Sequence, residues 1–195
     1  MSFELANETI SFSNLVAKIE RVSQLQSFSL DSITLEGDED DLQVFTKFFR
    51  GHSHLESASF RNVRFVSEGM DLELVLSMLL ISTDKLRVLS VDGCPIKPSV
   101  ITAITYNSTL DTIRMVNCGL TDENAMKLVD SLAKASRITS VDVSGNKFTD
   151  FGSHAFSQGL KQRTQVTNVQ VDGVTKTGEG SAVKGSAQTV SAKSA

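Results

Sequence analysis

The chain has 195 residues and a formal net charge of −4, enough length for one domain or one short repeat array. Its 40% hydrophobic content supports a buried core, while 2 cysteines are too few for a disulfide framework. The acidic balance argues against a general nucleic-acid binder, and no apolar run is long enough for a transmembrane helix.

The opening MSFELANETISF lacks the basic and then apolar regions of a secretory signal, and Glu4 and Glu8 are out of place in a transit peptide. A reducing, cytoplasmic compartment is expected. Phe3, Leu5 and Ile10 form a first half-copy of a pattern that then recurs. A helix is expected near 13–22. Leu25, Phe28, Leu30, Ile33 and Leu35 form the first full copy. The acidic run Glu36–Asp41 lacks calcium-loop spacing and stands where a helix over 40–50 should begin, so its charge suits the positive helix end.

His52 and His54 precede the next copy; two imidazoles make a poor metal site, and a surface loop is expected. Leu55, Ala58, Phe60, Val63 and Phe65 make that copy, followed by an almost wholly apolar helix near 68–82. Leu86, Leu89, Val91, Cys94 and Ile96 come next, then a helix near 98–107, with Pro98 tolerated in its first turn. Leu110, Ile113, Met115, Cys118 and Leu120 precede a helix at 122–134; Ile138, Val141, Val143, Asn146 and Phe148 precede one at 150–161. Thr121-Asp122 and Thr149-Asp150 supply cap chemistry for these two helices. Val166, Val169, Val171 and Val174 close the series. Residues 176–195 are Gly-, Ser-, Ala- and Lys-rich and read as a flexible tail, with the repeat domain spanning 1–175.

The unit is thus apolar-x-x-apolar-x-apolar, an apolar, Cys or Asn residue three further on, and another apolar two beyond. Its starts at Leu25, Leu55, Leu86, Leu110, Ile138 and Val166 are 30, 31, 24, 28 and 28 residues apart. Period-2 alternation marks a strand, and the following i, i+4 spacing of Leu128 and Leu132, or Phe156 and Leu160, marks a helix. The chain resembles the leucine-rich repeat family, in its ribonuclease-inhibitor-like subtype. The resemblance implies an α/β solenoid, a right-handed β-α superhelix. A parallel sheet of five to six short strands, seven with the half-copy, would line the concave side, with helices on the convex side. The Cys or Asn position is filled by Cys94, Cys118 and Asn146; Ile33, Val63 and Val174 depart from it, so less regular turns are expected there, and the 24-residue copy needs a shortened helix. In the family this cysteine is a buried, inert turn residue.

The resemblance implies a non-enzymatic protein–protein interaction module or scaffold. The alternative is a regulatory protein acting on a small GTPase or on actin, for which Arg61-Asn62 and Arg64 are the candidate strand-end residues. Gly178-x-Gly180 follows no strand, and no nucleophile elbow is evident, so neither cofactor nor catalytic residue is expected. Candidate partner-binding residues fall in three places. On the sheet, Arg61 should face Asp92, and Arg114 should face Asp142, among small polar neighbours. On the apolar helix, Leu74, Met78 and Ile81 form a second stripe away from the core-facing one. At the C-terminal end, the strand carrying Val169 should leave an unpaired edge, either an assembly contact or the cut edge of a longer array; the alternative is that the tail folds back to cover it.

Overall fold

Each apolar–polar–apolar triplet becomes a short strand because alternate side chains point to opposite faces, and one face can then be buried. The computed structural model describes residues 1–22, 24–51, 54–66, 71–135, 137–163, 165–172 and 188–191. In chain order the elements are β1 (Ser2–Ala6), β2 (Thr9–Ser11), α1 (Phe12–Ile19), β3 (Ser27–Asp31), β4 (Thr34–Glu36), α2 (Glu39–Gly51), β5 (Ser57–Arg61), β6 (Arg64–Phe65) and α3 (Leu72–Ser82). They continue with β7 (Val88–Asp92), α4 (Pro98–Ala103) with a 3-10 turn at Ile104–Tyr106, β8 (Thr112–Val116), α5 (Asp122–Lys134), β9 (Ser140–Asp142), α6 (Asp150–Arg163), β10 (Asn168–Val171) and β11 (Gln188–Ser191).

The main sheet runs β1-β3-β5-β7-β8-β9-β10-β11, with seven parallel strands and β11 antiparallel at the end. Sequence-adjacent repeats are therefore spatial neighbours, and each of the six helices packs on the next. The register places the inward residues in rows, such as Leu30–Phe60–Val91–Met115. Leu110, Ile113, Met115, Leu120, Leu128 and Leu132 are all buried, as the periodicity predicts. The first half of this core is aromatic: Phe28 meets Phe60 at 5.8 Å and Phe49 at 5.6 Å, and Phe45 meets Phe49 edge-on at 4.7 Å. This α/β architecture is compatible with a leucine-rich repeat-like fold.

The helix ends follow from local chemistry. Asp71 caps α3 through the N–H of Leu74, and Thr121 forms a reciprocal cap with Asn124 at α5. Pro98 is the first residue of α4, whose six residues reflect the 24-residue spacing of that copy. Asp38 and Asp41 bond reciprocally to each other's backbone N–H groups at the start of α2, so this acidic run closes a helix end. His52 lies outside the described residues.

A turn follows each strand, and its first residue recurs in the left-handed region: Asn7, Ser32, Asn62, Gly93, Asn117 and Gly145, with φ between 49° and 70°. The N–H of each reaches the next repeat: Asn7 to Asp31 O, Ser32 to Arg61 O, Asn62 to Asp92 O, Gly93 to Val116 O and Asn117 to Ser144 O, at 2.8–3.1 Å. The last, Gly145, donates to the Asp172 carboxylate. Left-handed backbone is costly for most side chains, which accounts for the Asn and Gly at these places.

Three expectations are corrected here. The copies carrying Ile33 and Val63 do not have irregular turns. Their backbone groups pair instead in a second parallel sheet, β2-β4-β6, for example Thr34 N–H to Glu8 O at 3.0 Å and Arg64 N–H to Ile33 O at 2.9 Å. An apolar side chain cannot satisfy neighbouring amides, so a backbone ladder does. The expected free edge at Val169 is occupied: β11 pairs with β10, Val169 facing Val190. The same pairing corrects part of the flexible-tail reading, since Gln188–Ser191 is a strand; residues 176–187 and 192–195 lie outside the described residues. Thr189 and Val190 favour strands, and an open strand edge recruits one.

Candidate interaction surfaces

The polar face of the sheet is built from the residues between the inward ones. One row reads Ser29–Ser59–Ser90–Arg114–Asp142–Gln170, and the next reads Asp31–Arg61–Asp92–Val116. Arg61 stands between two carboxylates, 3.7 Å from Asp31 and 3.5 Å from Asp92. Arg114 donates through Nε to Asp142 Oδ2 at 3.2 Å. Asp142 also accepts from the N–H and hydroxyl of Ser144 and is only 8% exposed. Asp92 accepts from the side-chain amide of Asn117 at 3.0 Å. The sequence-predicted pairs Arg61–Asp92 and Arg114–Asp142 are thus brought together, and their charges are largely answered within the sheet.

Asn62, a candidate strand-end residue, is committed to the turn ladder, and its Oδ1 fills the space a Cβ on Gly93 would take. Arg64, in β6, is exposed.

Helix α3 has mean character apolar enough to be buried on several sides. Leu72, Val75, Leu76, Leu79 and Leu80 are buried against the sheet and the neighbouring helices. The second stripe is not covered: Leu74 is 43% and Ile81 57% exposed, with Met78 half-buried between them. Asn107 bonds the carbonyls of Leu80 and Thr83, at 2.9 and 3.1 Å, and so ties the segment that follows the exposed Tyr106 to the C-terminal end of α3. Val169, by contrast, is buried and belongs to the core.

Two further features were not anticipated. An open cleft of about 220 Å³ along the strand starts is lined by Glu56, Asp84, Lys85, Arg87, Thr109 and Arg137. Arg87 binds Asp111 at 2.7 Å and Arg137 approaches it at 3.9 Å, so cations and carboxylates alternate and balance around it. The signal was present in the residues just before each strand, Glu56, Arg87 and Asp111, which fall in neighbouring repeats. The second is Asn107 itself, a buried side chain that also accepts from the N–H groups of Thr109 and Leu110. No periodic signal marks it, because it occurs in one copy only.

At the Cys or Asn position the side chains work as turn ligands. Asn146 donates to the carbonyls of Met115 and Val143 and accepts from the N–H groups of Cys118 and Leu120, at 2.6–3.0 Å. Cys94 accepts from the Val63 N–H at 3.2 Å, and the Cys118 thiol points at the Val116 carbonyl at 3.2 Å. Both cysteines are free and buried. Burial pushes the Cys118 thiol up to about 12 and also raises that of Cys94. Among the described residues, no group of His, Cys, Asp and Glu could hold a metal ion, and no helix is long and apolar enough to cross a membrane.

No protein-family model matches the chain, and no curated protein is similar in sequence. Among solved structures, the fold is similar to the tropomodulin C-terminal domain of Caenorhabditis elegans, with TM-score 0.54 and 13% identity over 78% of this chain and 92% of that one. At that identity the likeness concerns the fold alone. A Bacteroides fragilis protein is similar at TM-score 0.28 and 14% identity, over 85% of this chain and 71% of that one, too loosely to carry an argument.

Proposed function

We propose that the chain is a non-enzymatic protein–protein interaction module, a leucine-rich repeat solenoid of the ribonuclease-inhibitor-like type working in a reducing, cytoplasmic setting. The observation that carries this reading is the uncovered stripe on α3. Leu74 and Ile81 remain exposed on a helix whose remaining leucines and Val75 are buried. Exposed apolar surface grouped on one face favours a protein partner. The sheet face is the weaker docking surface, because its arginines already have carboxylate partners.

Regulation of a small GTPase or of actin is the alternative. It has the thinner support: Arg61, though exposed, stands between Asp31 and Asp92, and Asn62 is held in the turn ladder, which leaves Arg64 as the candidate not engaged by the sheet's carboxylates. Capture from native extract with the wild-type chain and with a Leu74→Ser/Ile81→Ser variant tests the leading reading. Partners that bind through this stripe are retained by the first and lost by the second, at equal thermal stability. GTPase-stimulation and actin-pelleting assays on the wild-type chain test the alternative.

A further inference from the structure

The two ends of the main sheet differ. At one end β11 lies along β10; at the other, β1 has β3 as its one strand partner among the described residues. In the parallel ladder, the Met1 carbonyl accepts from the Ser27 N–H and the Asn7 N–H donates to the Asp31 carbonyl. Bonding groups in such a ladder alternate by residue. Phe3 and Leu5 therefore turn their backbone groups toward β3, and Ser2, Glu4 and Ala6 turn theirs outward. That leaves three donors and three acceptors in a row, spaced for one added strand.

The side chains say what that strand would be. Phe3 and Leu5 are half-buried, and Phe3 stacks on Phe28 at 5.9 Å, so an added strand would complete the cover over both. Glu4 lies between them on the opposite face, is exposed, and forms no ion pair among the described residues. A second copy is a poor occupant: two β1 strands paired over their full length about a two-fold axis would set Glu4 against Glu4, where like charges are destabilising, and a register that avoids this gives up part of the ladder.

We propose that the outer edge of β1 is a strand-addition site for an extended segment of a partner protein that reads apolar–basic–apolar, its basic residue opposite Glu4. This site is separate from the α3 stripe and does not depend on it.

The test uses the full chain and two capped peptides, Thr-Val-Lys-Val-Thr and Thr-Val-Glu-Val-Thr, followed by amide NMR shifts and hydrogen exchange. The lysine peptide should shift and protect the amides of Ser2, Glu4 and Ala6, and bind up to about fivefold more tightly than the glutamate peptide. Glu4→Lys should reverse that preference. Ala6→Pro should abolish binding without lowering the melting temperature, because proline is tolerated where the N–H faces outward on an edge strand. The proposal is overturned if neither peptide affects these amides, if Glu4→Lys leaves the preference unchanged, or if the chain self-associates through this edge and excludes the peptide. Should Ala6→Pro perturb the fold, the Glu4→Lys comparison still decides.

Discussion

The side-chain oxygen of Asn117 occupies the place where a Cβ on Gly145, the equivalent residue one repeat later, would lie. Gly145 also has φ +70°, so this turn needs glycine for two separate reasons. Gly119 has φ +74° but open space around its missing Cβ. Gly119→Ala should therefore cost only about 1–2 kcal/mol for the left-handed backbone, and Gly145→Ala clearly more. Urea denaturation checks the difference, and Asn117→Gly, which removes the Oδ1 while keeping the left-handed backbone accessible, should recover part of it in the Gly145→Ala background. Equal costs at the two glycines would show that the contact has no energetic weight.

Asn107 joins α3 to the segment that starts β8. Asn107→Ala leaves the carbonyls of Leu80 and Thr83 and the N–H groups of Thr109 and Leu110 without their present partner. Each orphaned buried group costs roughly 1–3 kcal/mol, less where water enters, so a loss of about 2–4 kcal/mol is expected in equilibrium denaturation. A loss below about 1 kcal/mol would mean that water replaces the amide.

Ile113 lies fully inside the sheet between the rows of Leu89 and Val141. Ile113→Asp places a carboxylate there without a partner, which costs several kcal/mol or forces it to stay protonated. Circular dichroism should show an unfolded or strongly destabilised chain. An unchanged melting temperature would contradict the register.

The two thiols should react slowly with a thiol reagent in the folded chain and rapidly once denaturant is added, since both are buried. Their titration adds a pH effect. The folded Cys118 pKa, about 12, is raised from an ordinary value of 9.0, so the neutral thiol is the form the fold favours. Stability is then complete below the ordinary value and declines as pH rises from 9.0 toward 12. Melting temperatures across that range should fall, and Cys118→Ala should make the fall shallower. A slope identical in the two proteins would remove Cys118 as its source.

The repeat made most of the fold legible. The helix at Asp122–Lys134 falls where the cap signals and spacing set it, and the six-residue α4 follows from a short copy. The sheet pairs Arg61–Asp92 and Arg114–Asp142 were readable because one register governs every strand. What stayed hidden was not periodic. The second sheet arises where Ile33 and Val63 cannot bond the turn amides, which depends on what the neighbouring backbone offers rather than on hydrophobicity. Strand β11 is a short polar segment with a single apolar residue, Val190, and it pairs with β10, the strand before it in the chain, where no hydrophobic period marks it. Of the candidate sites, the exposure of Leu74 and Ile81 was legible from the helix period, whereas at Val169 the alternative reading, a tail folded back along this edge, is the one the pairing with β11 favours.

The most direct measurement is isothermal titration of a captured, purified partner against three proteins: wild type, Leu74→Ser/Ile81→Ser, and Arg61→Ala/Arg114→Ala. Each apolar replacement removes exposed hydrophobic surface from α3 without touching the core. If α3 is the docking surface, the first double variant weakens binding at least tenfold at an unchanged melting temperature, and the second changes it less than about threefold even though losing Arg114 strips the nearly buried Asp142 carboxylate of its cation and lowers stability. Unchanged affinity in the Leu74→Ser/Ile81→Ser protein, with affinity lost in the sheet-face variant, would contradict the account.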